Sequence, residues 1–310
     1  MIEIGIIIEG SDGLTWPIWK RLARTVEDCG YKGLYRSDHL TSNSTPDKPS
    51  LELWVSLTWL ASHSNQIEFG PLVTPSSFRN PIHTARMACA VDDLSNGRLL
   101  LGLGAGGWER EHQMFGFKFG DIPTRMKLFE ESTEVVYRLL HNENPVTFNG
   151  KYYQLKDAIQ LPRPQRSGGP PILIGGNGGR FTLPLAARFA DEWNCVFLTP
   201  RLFQVLNTQL NELLIKEERA ILDVKRSMVT GCIFGKDEHE LKNKIKFQMP
   251  KGLSPEQKDA VVAGTGNQIV DQISQLGQVG IERIMLIWFD LNDNEGLEAM
   301  ANAILPELHN

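Results

Sequence analysis

The chain has 310 residues, 41% of them hydrophobic and 22% charged, too apolar for intrinsic disorder and ordinary for one large folded domain or two smaller ones. Its 32 basic and 37 acidic residues leave a net charge of -5, which argues against a general nucleic-acid binder with its basic face. Cys29, Cys89, Cys195 and Cys232 are far apart and form no C-x-x-C pair, so reduced thiols in a cytoplasmic protein are expected, and no run approaches the roughly 18 apolar residues of a membrane span.

Ile2 to Ile8 is a continuous β-branched run, the pattern of a strand buried on both faces, and it lacks the basic start of a signal peptide. Thr15 to Cys29 reads as a helix stopped by Gly30. Gly33 to Ser37 is a second strand, Leu51 to Ser62 a second helix, and Ile67 to Val73 a third strand. Asn80 to Leu94 is a helix with Pro81 in its first turn and Asn96-Gly97 after its end. Arg98 to Leu103 is the fourth strand. In Thr124 to Leu140, Leu128, Val135, Val136 and Leu139 recur at helical spacing, while Arg125, Lys127, Glu131 and Glu134 face away. The irregular stretch that follows holds a hairpin over Val146 to Leu155, with Asn149-Gly150 as a type I′ turn.

Strand patterns return at Pro171 to Ile174, Glu192 to Val196, Met228 to Phe234 and Arg283 to Ile287, and Gly296 to Leu305 is a closing helix. Eight strands, each followed by a helix or an insertion and with no linker between halves, predict a single (β/α)8 TIM barrel over residues 1–310. The insertions, at about 142–171 and 236–268, are expected at the C-terminal mouth, the second as a candidate lid.

Chemistry in such a barrel sits at the C-terminal ends of the strands. Asp38 and His39 follow strand two, and histidine titrates near neutrality and suits proton transfer; a loop-capping Asp beside a surface His is the competing reading. Gly102 to Gly107 satisfies G-x-G-x-x-G after a strand, but the next strand and acidic residue of a nicotinamide fingerprint are missing, because that distance falls inside the Thr124 to Leu140 helix. Gly175 to Arg180 follows strand five and opens a helix. Its N–H groups, the helix dipole and Arg180 fit an anion site, or the glycines serve a tight turn. Glu109-Arg-Glu-His112 holds one E-x-x-H with no convincing second, so a di-metal site is not expected.

Taken in order, Ser37-Asp38-His39-Leu40, Gly70 to Pro75 with Arg79-Asn80-Pro81, Asp92 to Gly106, Phe148-Asn-Gly150-Lys-Tyr152-Tyr153, Pro162-Arg-Pro164, Pro171 to Gly176 and Ala190 to Asn194 resemble the bacterial luciferase-like oxidoreductases. The resemblance covers roughly Met1 to Asn194, is weaker beyond, and is closest to the branch that uses the deazaflavin coenzyme F-420. It implies a barrel with coenzyme F-420, or else FMN, at the mouth. Asp38 and His39 would lie beside the ring, Pro71, Leu72 and Val73 at a strand-three bulge carrying a non-prolyl cis peptide at Pro71-Leu72, Gly106 and Gly107 along the other edge, and Gly175, Gly176 and Gly178 on the phosphate. Two departures stand out. Trp108 comes one residue later than usual, and Gly107 stands where the sugar-phosphate dehydrogenases of the family carry a catalytic Glu. The implied activity is hydride transfer between reduced coenzyme F-420 and a small organic substrate; an FMN-dependent monooxygenase and a catalytically silent flavin-binding relative are the alternatives. The partners expected are a small-molecule substrate and at most a second copy of the chain as a homodimer, with no nucleic acid and no membrane.

Overall fold

Ile4, Ile6 and Ile8 of strand β1 (Glu3–Ile8) join the core between barrel and helices, while Ile7 turns to the barrel interior. That alternation is the period-2 geometry of a strand buried on both faces. The computed structural model describes residues 2–249, 254 and 260–308. Helix α1 (Trp16–Asp28) leads to β2 (Gly33–Arg36), α2 (Leu53–His63) to β3 (Glu68–Pro71) and the two-residue β4 (Thr74–Pro75), and α3 (Pro81–Leu94) to β5 (Leu101–Gly104). Asn80 caps α3 by accepting the Ile82 amide at 2.9 Å, with Pro81 in the first turn.

A short helix α4 (Glu109–Phe115) and the long α5 (Ile122–His141) precede the hairpin of β6 (Val146–Asn149) and β7 (Gln154–Ala158). The barrel resumes with β8 (Ile172–Gly175), α6 (Thr182–Phe189), β9 (Glu192–Val196), α7 (Pro200–Lys216) and β10 (Lys225–Phe234). Then come α8 (Glu238–Gln248), β11 (Val262–Gly264), α9 (Gly266–Gln278), β12 (Arg283–Trp288) and α10 (Asn294–Leu308). The parallel strands run in the order β3-β2-β1-β12-β10-β9-β8-β5-β4, with β11 added beside the end of β10. Phe69 closes the ring: it bridges to Leu99, donates to the Arg98 carbonyl at 3.1 Å and accepts the Leu100 amide at 2.9 Å. The expected eight-stranded barrel is therefore formed, its third strand split into β3 and β4.

The interior is apolar in its middle, where Ile7, Tyr35, Leu72, Leu100, Leu173, Val229 and Met285 meet. Its N-terminal end is closed by ions. Arg283, 4% exposed, donates to Glu3 at 2.7 Å, Glu68 at 2.8 Å and Glu192 at 3.0 Å. Burial disfavours this cation, but Tyr35 and the three carboxylates outweigh it and hold the guanidinium well above its ordinary range.

Two expectations need correction. The segment 142–171 does not sit at the mouth. It follows the C-terminal end of α5, which has returned to the opposite end of the barrel: Arg163 donates to the last carbonyls of α5, Leu139 and Leu140, and Arg166 pairs with Asp92 near the end of α3. Nor is Asn149-Gly150 a type I′ turn; neither residue has the positive φ that such a turn needs. The chain reverses through 150–153, where Glu131 turns inward and its carboxylate accepts the amides of Lys151, Tyr152 and Tyr153 at 2.8, 2.7 and 3.2 Å. The second insertion, 236–268, expected as a lid, follows β10 on the mouth side and contains α8, β11 and the start of α9; its residues 250–253 and 255–259 lie outside the described residues.

Candidate active site

The loop after β2 carries two adjacent residues with different surroundings. Asp38 is buried, and both its oxygens are taken: Arg79 reaches them through Nη2 at 2.6 Å and Nε at 2.9 Å, and the Thr74 hydroxyl donates at 2.8 Å. Arg79 also donates to Glu52 at 2.7 Å. Burial works against its charge, yet Asp38 and Glu52 hold the guanidinium above its usual range. Asp38 thus ties the ends of β2 and β4 to the start of α2.

The His39 ring faces the mouth. Its Nδ1 lies 3.1 Å from Oε1 of Glu111, and Oε2 of the same carboxylate accepts the Leu40 amide at 3.0 Å. Trp108 stacks on the imidazole, centroids 3.4 Å apart and planes 10° from parallel. The His39 side chain is 21% exposed and Glu111 1%. Among the described residues Nε2 has no protein partner, so Nδ1–H donating to Glu111 leaves Nε2 as the acceptor of the neutral ring. The loop 41–47 is held over α4 by Arg110, which donates to both oxygens of Asp47 at 2.7 Å.

Next to this pair the third strand breaks. The Leu72–Val73 peptide is cis, one residue later than the Pro71-Leu72 expectation. Pro71 and Leu72 are buried, whereas Val73 is half-buried and turns into the barrel. Glycines make the room: a Cβ on Gly104 would collide with Val73, and one on Gly102 or Gly175 would approach its Cγ1 to 3.2 or 3.0 Å. Gly106 has a φ of 80° and a Cβ there would strike Ser77, so only glycine fits. Gly107 differs, with nothing within 4 Å of a Cβ and its surface open to the mouth.

The loop after β8 is pinned from outside. Gly176 donates to the Asn194 carbonyl at 2.9 Å and accepts the Trp193 indole at 2.9 Å, with a φ of 129°. The Asn177 side chain brackets Val196, donating to its carbonyl at 2.7 Å and accepting its amide at 2.8 Å. Among the described residues the amides of Asn177, Gly178, Gly179 and Arg180 meet no acceptor in the protein. Four free donors, the start of α6 and the exposed Arg180 together form a place for an anion.

The residues expected at the site thus come together at one end of the barrel, Val73 against Gly175 and His39 beside Trp108. Sequence reading did not give Glu111 its role as the holder of His39. The signal was present: a carboxylate on the inward side of a short helix that opens two residues after the Gly106-Gly107 pair.

The chain matches the family described as luciferase-like monooxygenase over residues 10–264 and belongs to it. It is 28% identical over 243 residues to an F420-dependent glucose-6-phosphate dehydrogenase of Amycolatopsis mediterranei, covering 76% of this chain and 70% of that protein. It is 29% identical over 175 residues to the 4-hydroxyprotoasukamycin monooxygenase of Streptomyces nodosus subsp. asukaensis, covering 56% of this chain and 45% of the relative. Its fold matches an F420-dependent secondary alcohol dehydrogenase, solved with an F420-acetone adduct, at a TM-score of 0.84 and 18% identity, over 98% of both chains. No helix among the described residues is long and apolar enough to cross a membrane.

Proposed function

We propose that this protein is an oxidoreductase that transfers hydride between coenzyme F-420 and a small organic molecule. The observation that carries the reading is the His39–Glu111 pair at the mouth, together with relatives named as F420-dependent. The residues fit a ring-bearing phosphate cofactor: four free amides and Arg180 suit the phosphate, and Gly107 leaves open space where a side chain would intrude.

When bound, the deazaflavin supplies the carbon that accepts or gives hydride. Pro71, Leu72 and Val73 would back the ring, Gly106 and Gly107 line its edge, and Gly175, Gly176, Gly178 and Arg180 hold the phosphate. His39 receives a proton at Nε2 from a substrate hydroxyl as the carbon bearing that hydroxyl gives up its hydride and is oxidised to a carbonyl, and returns the proton in the reverse direction. Glu111 fixes the ring through Nδ1 and stabilises the imidazolium without taking the proton itself. Asp38, with both oxygens engaged, positions the loop that carries His39.

An FMN-dependent monooxygenase is the second reading, favoured by the likeness to 4-hydroxyprotoasukamycin monooxygenase. Titration with each cofactor decides between them. The first reading expects coenzyme F-420 to bind at least about tenfold tighter than FMN, a difference of about 1.4 kcal/mol, and reduced protein to consume no oxygen. Tighter FMN binding with oxygen uptake would overturn it.

A further inference from the structure

We infer that the substrate is an uncharged, apolar molecule, seated on a wall that β9, β10 and β12 raise across the mouth from His39; the inference rests on the cofactor reading above. In the strand order β9 stands across the ring from β2. Val196 and Ile287 pack on the interior cluster yet stay half-exposed above it. Met285, Ile287 and Phe289 follow the two-residue alternation of β12 and its continuation inward and upward. The Phe289 ring covers Gly231 of β10, where a Cβ would lie 2.9 Å from its Cζ, and is still 36% exposed. Phe197, next to Val196, ends β9 in the left-handed region with a φ of 50° and is 40% exposed.

Charge agrees with this. No lysine or arginine stands in 196–200, 229–235 or 284–310. Arg283, the last cation of the chain, is locked among carboxylates at the far end of the barrel. Lys244 lies over Phe234 and Trp288 but is held by Asp293 at 2.7 Å and Glu240 at 3.0 Å, and carboxylates stand nearby, Glu9 after β1, which accepts the Ser37 hydroxyl, and Asp290 after β12. On this wall a phosphorylated or carboxylated substrate would therefore meet carboxylates and a lysine already paired with two of them, whereas an alkyl chain gains contact with every carbon it places there.

Calorimetric titration with butanone, hexanone, octanone and glucose 6-phosphate tests this, run on the protein alone and loaded with coenzyme F-420. The ketone affinity should rise about fourfold per methylene until the wall is covered, and in the loaded protein, where the cofactor occupies the phosphate loop, the sugar phosphate should not bind. Phe289→Asp should cost octanone at least about tenfold while cofactor affinity stays as in wild type. A series flat with chain length, absent binding included, or a preference for glucose 6-phosphate would overturn the inference. Should Phe289→Asp not fold, the wild-type series decides alone. Failure of both cofactors to bind sinks the hydride-transfer reading and leaves the ketone series on the unloaded protein to judge the wall.

Discussion

Glu111 holds His39 and the backbone amide of Leu40 with one carboxylate, Oε1 on the ring at 3.1 Å and Oε2 on the amide at 3.0 Å. The proton carrier and the loop that bears it are thus fixed by the same buried anion. His39→Ala should keep the barrel and much of the cofactor affinity and slow the chemical step by roughly 10²–10⁴. Glu111→Gln offers one acceptor oxygen for the two donors that Glu111 serves, so the Leu40 amide or the His39 Nδ1–H loses its partner and the imidazolium its counter-charge, with a loss of at least roughly tenfold in kcat and little change in KM. Single-turnover oxidation of reduced cofactor, with folding followed by circular dichroism, measures both. Equal rates in wild type and His39→Ala would remove the histidine from the mechanism.

The phosphate loop offers a second test. Arg180 is exposed and stacks on Phe181 at 5.2 Å, so Arg180→Glu should leave stability within about 0.5 kcal/mol. Cofactor affinity should fall roughly tenfold at low salt, and the deficit should shrink as salt rises, as for a screened charge. A deficit indifferent to salt would mean that Arg180 acts by shape.

Two glycines near the site predict opposite outcomes for one substitution. A Cβ on Gly10 would collide with the Arg36 guanidinium, which is locked by Ser56 and the Leu51 carbonyl, each at 2.7 Å. Gly10→Ala should therefore cost about 1–3 kcal/mol. Gly107→Ala meets nothing within 4 Å and should stay within about 0.5 kcal/mol of wild type. Denaturant midpoints of the two variants check the pair.

Glu192 predicts a pH dependence. Burial pushes its carboxyl up, and Arg283 and a hydrogen bond from Ser227 only partly offset this. Below the unfolded value of about 4.3 both states hold the proton. From there up to the raised folded value, unfolding releases a proton, so stability falls as pH rises. Glu192→Gln cannot ionise and should escape that loss, its stability relative to wild type improving across the window. A wild-type-minus-variant difference independent of pH would show that Glu192 does not titrate there.

The barrel was legible because its strands are short apolar runs separated by helical spacing, and the pair Asp38-His39 because strand ends carry the chemistry. Three features were not. Glu111 serves His39 from 72 residues away, a contact that only closure of the barrel creates. Asp38 looked as available as its neighbour until Arg79 and Thr74 filled its oxygens. The segment 142–171 was assigned to the wrong end because its composition marks an insertion but not the face on which α5 delivers it.

The turn at 150–153 depends on a carboxylate from α5, 20 to 22 residues upstream. The Gly150 amide donates to the Tyr153 carbonyl at 2.9 Å and closes the reversal locally, but the next three amides find their acceptor only on the helix. Hairpin and helix are therefore coupled through Glu131, one carboxylate serving as the floor of a turn on another element. A peptide spanning only 142–171 lacks that carboxylate and should show no stable hairpin by circular dichroism.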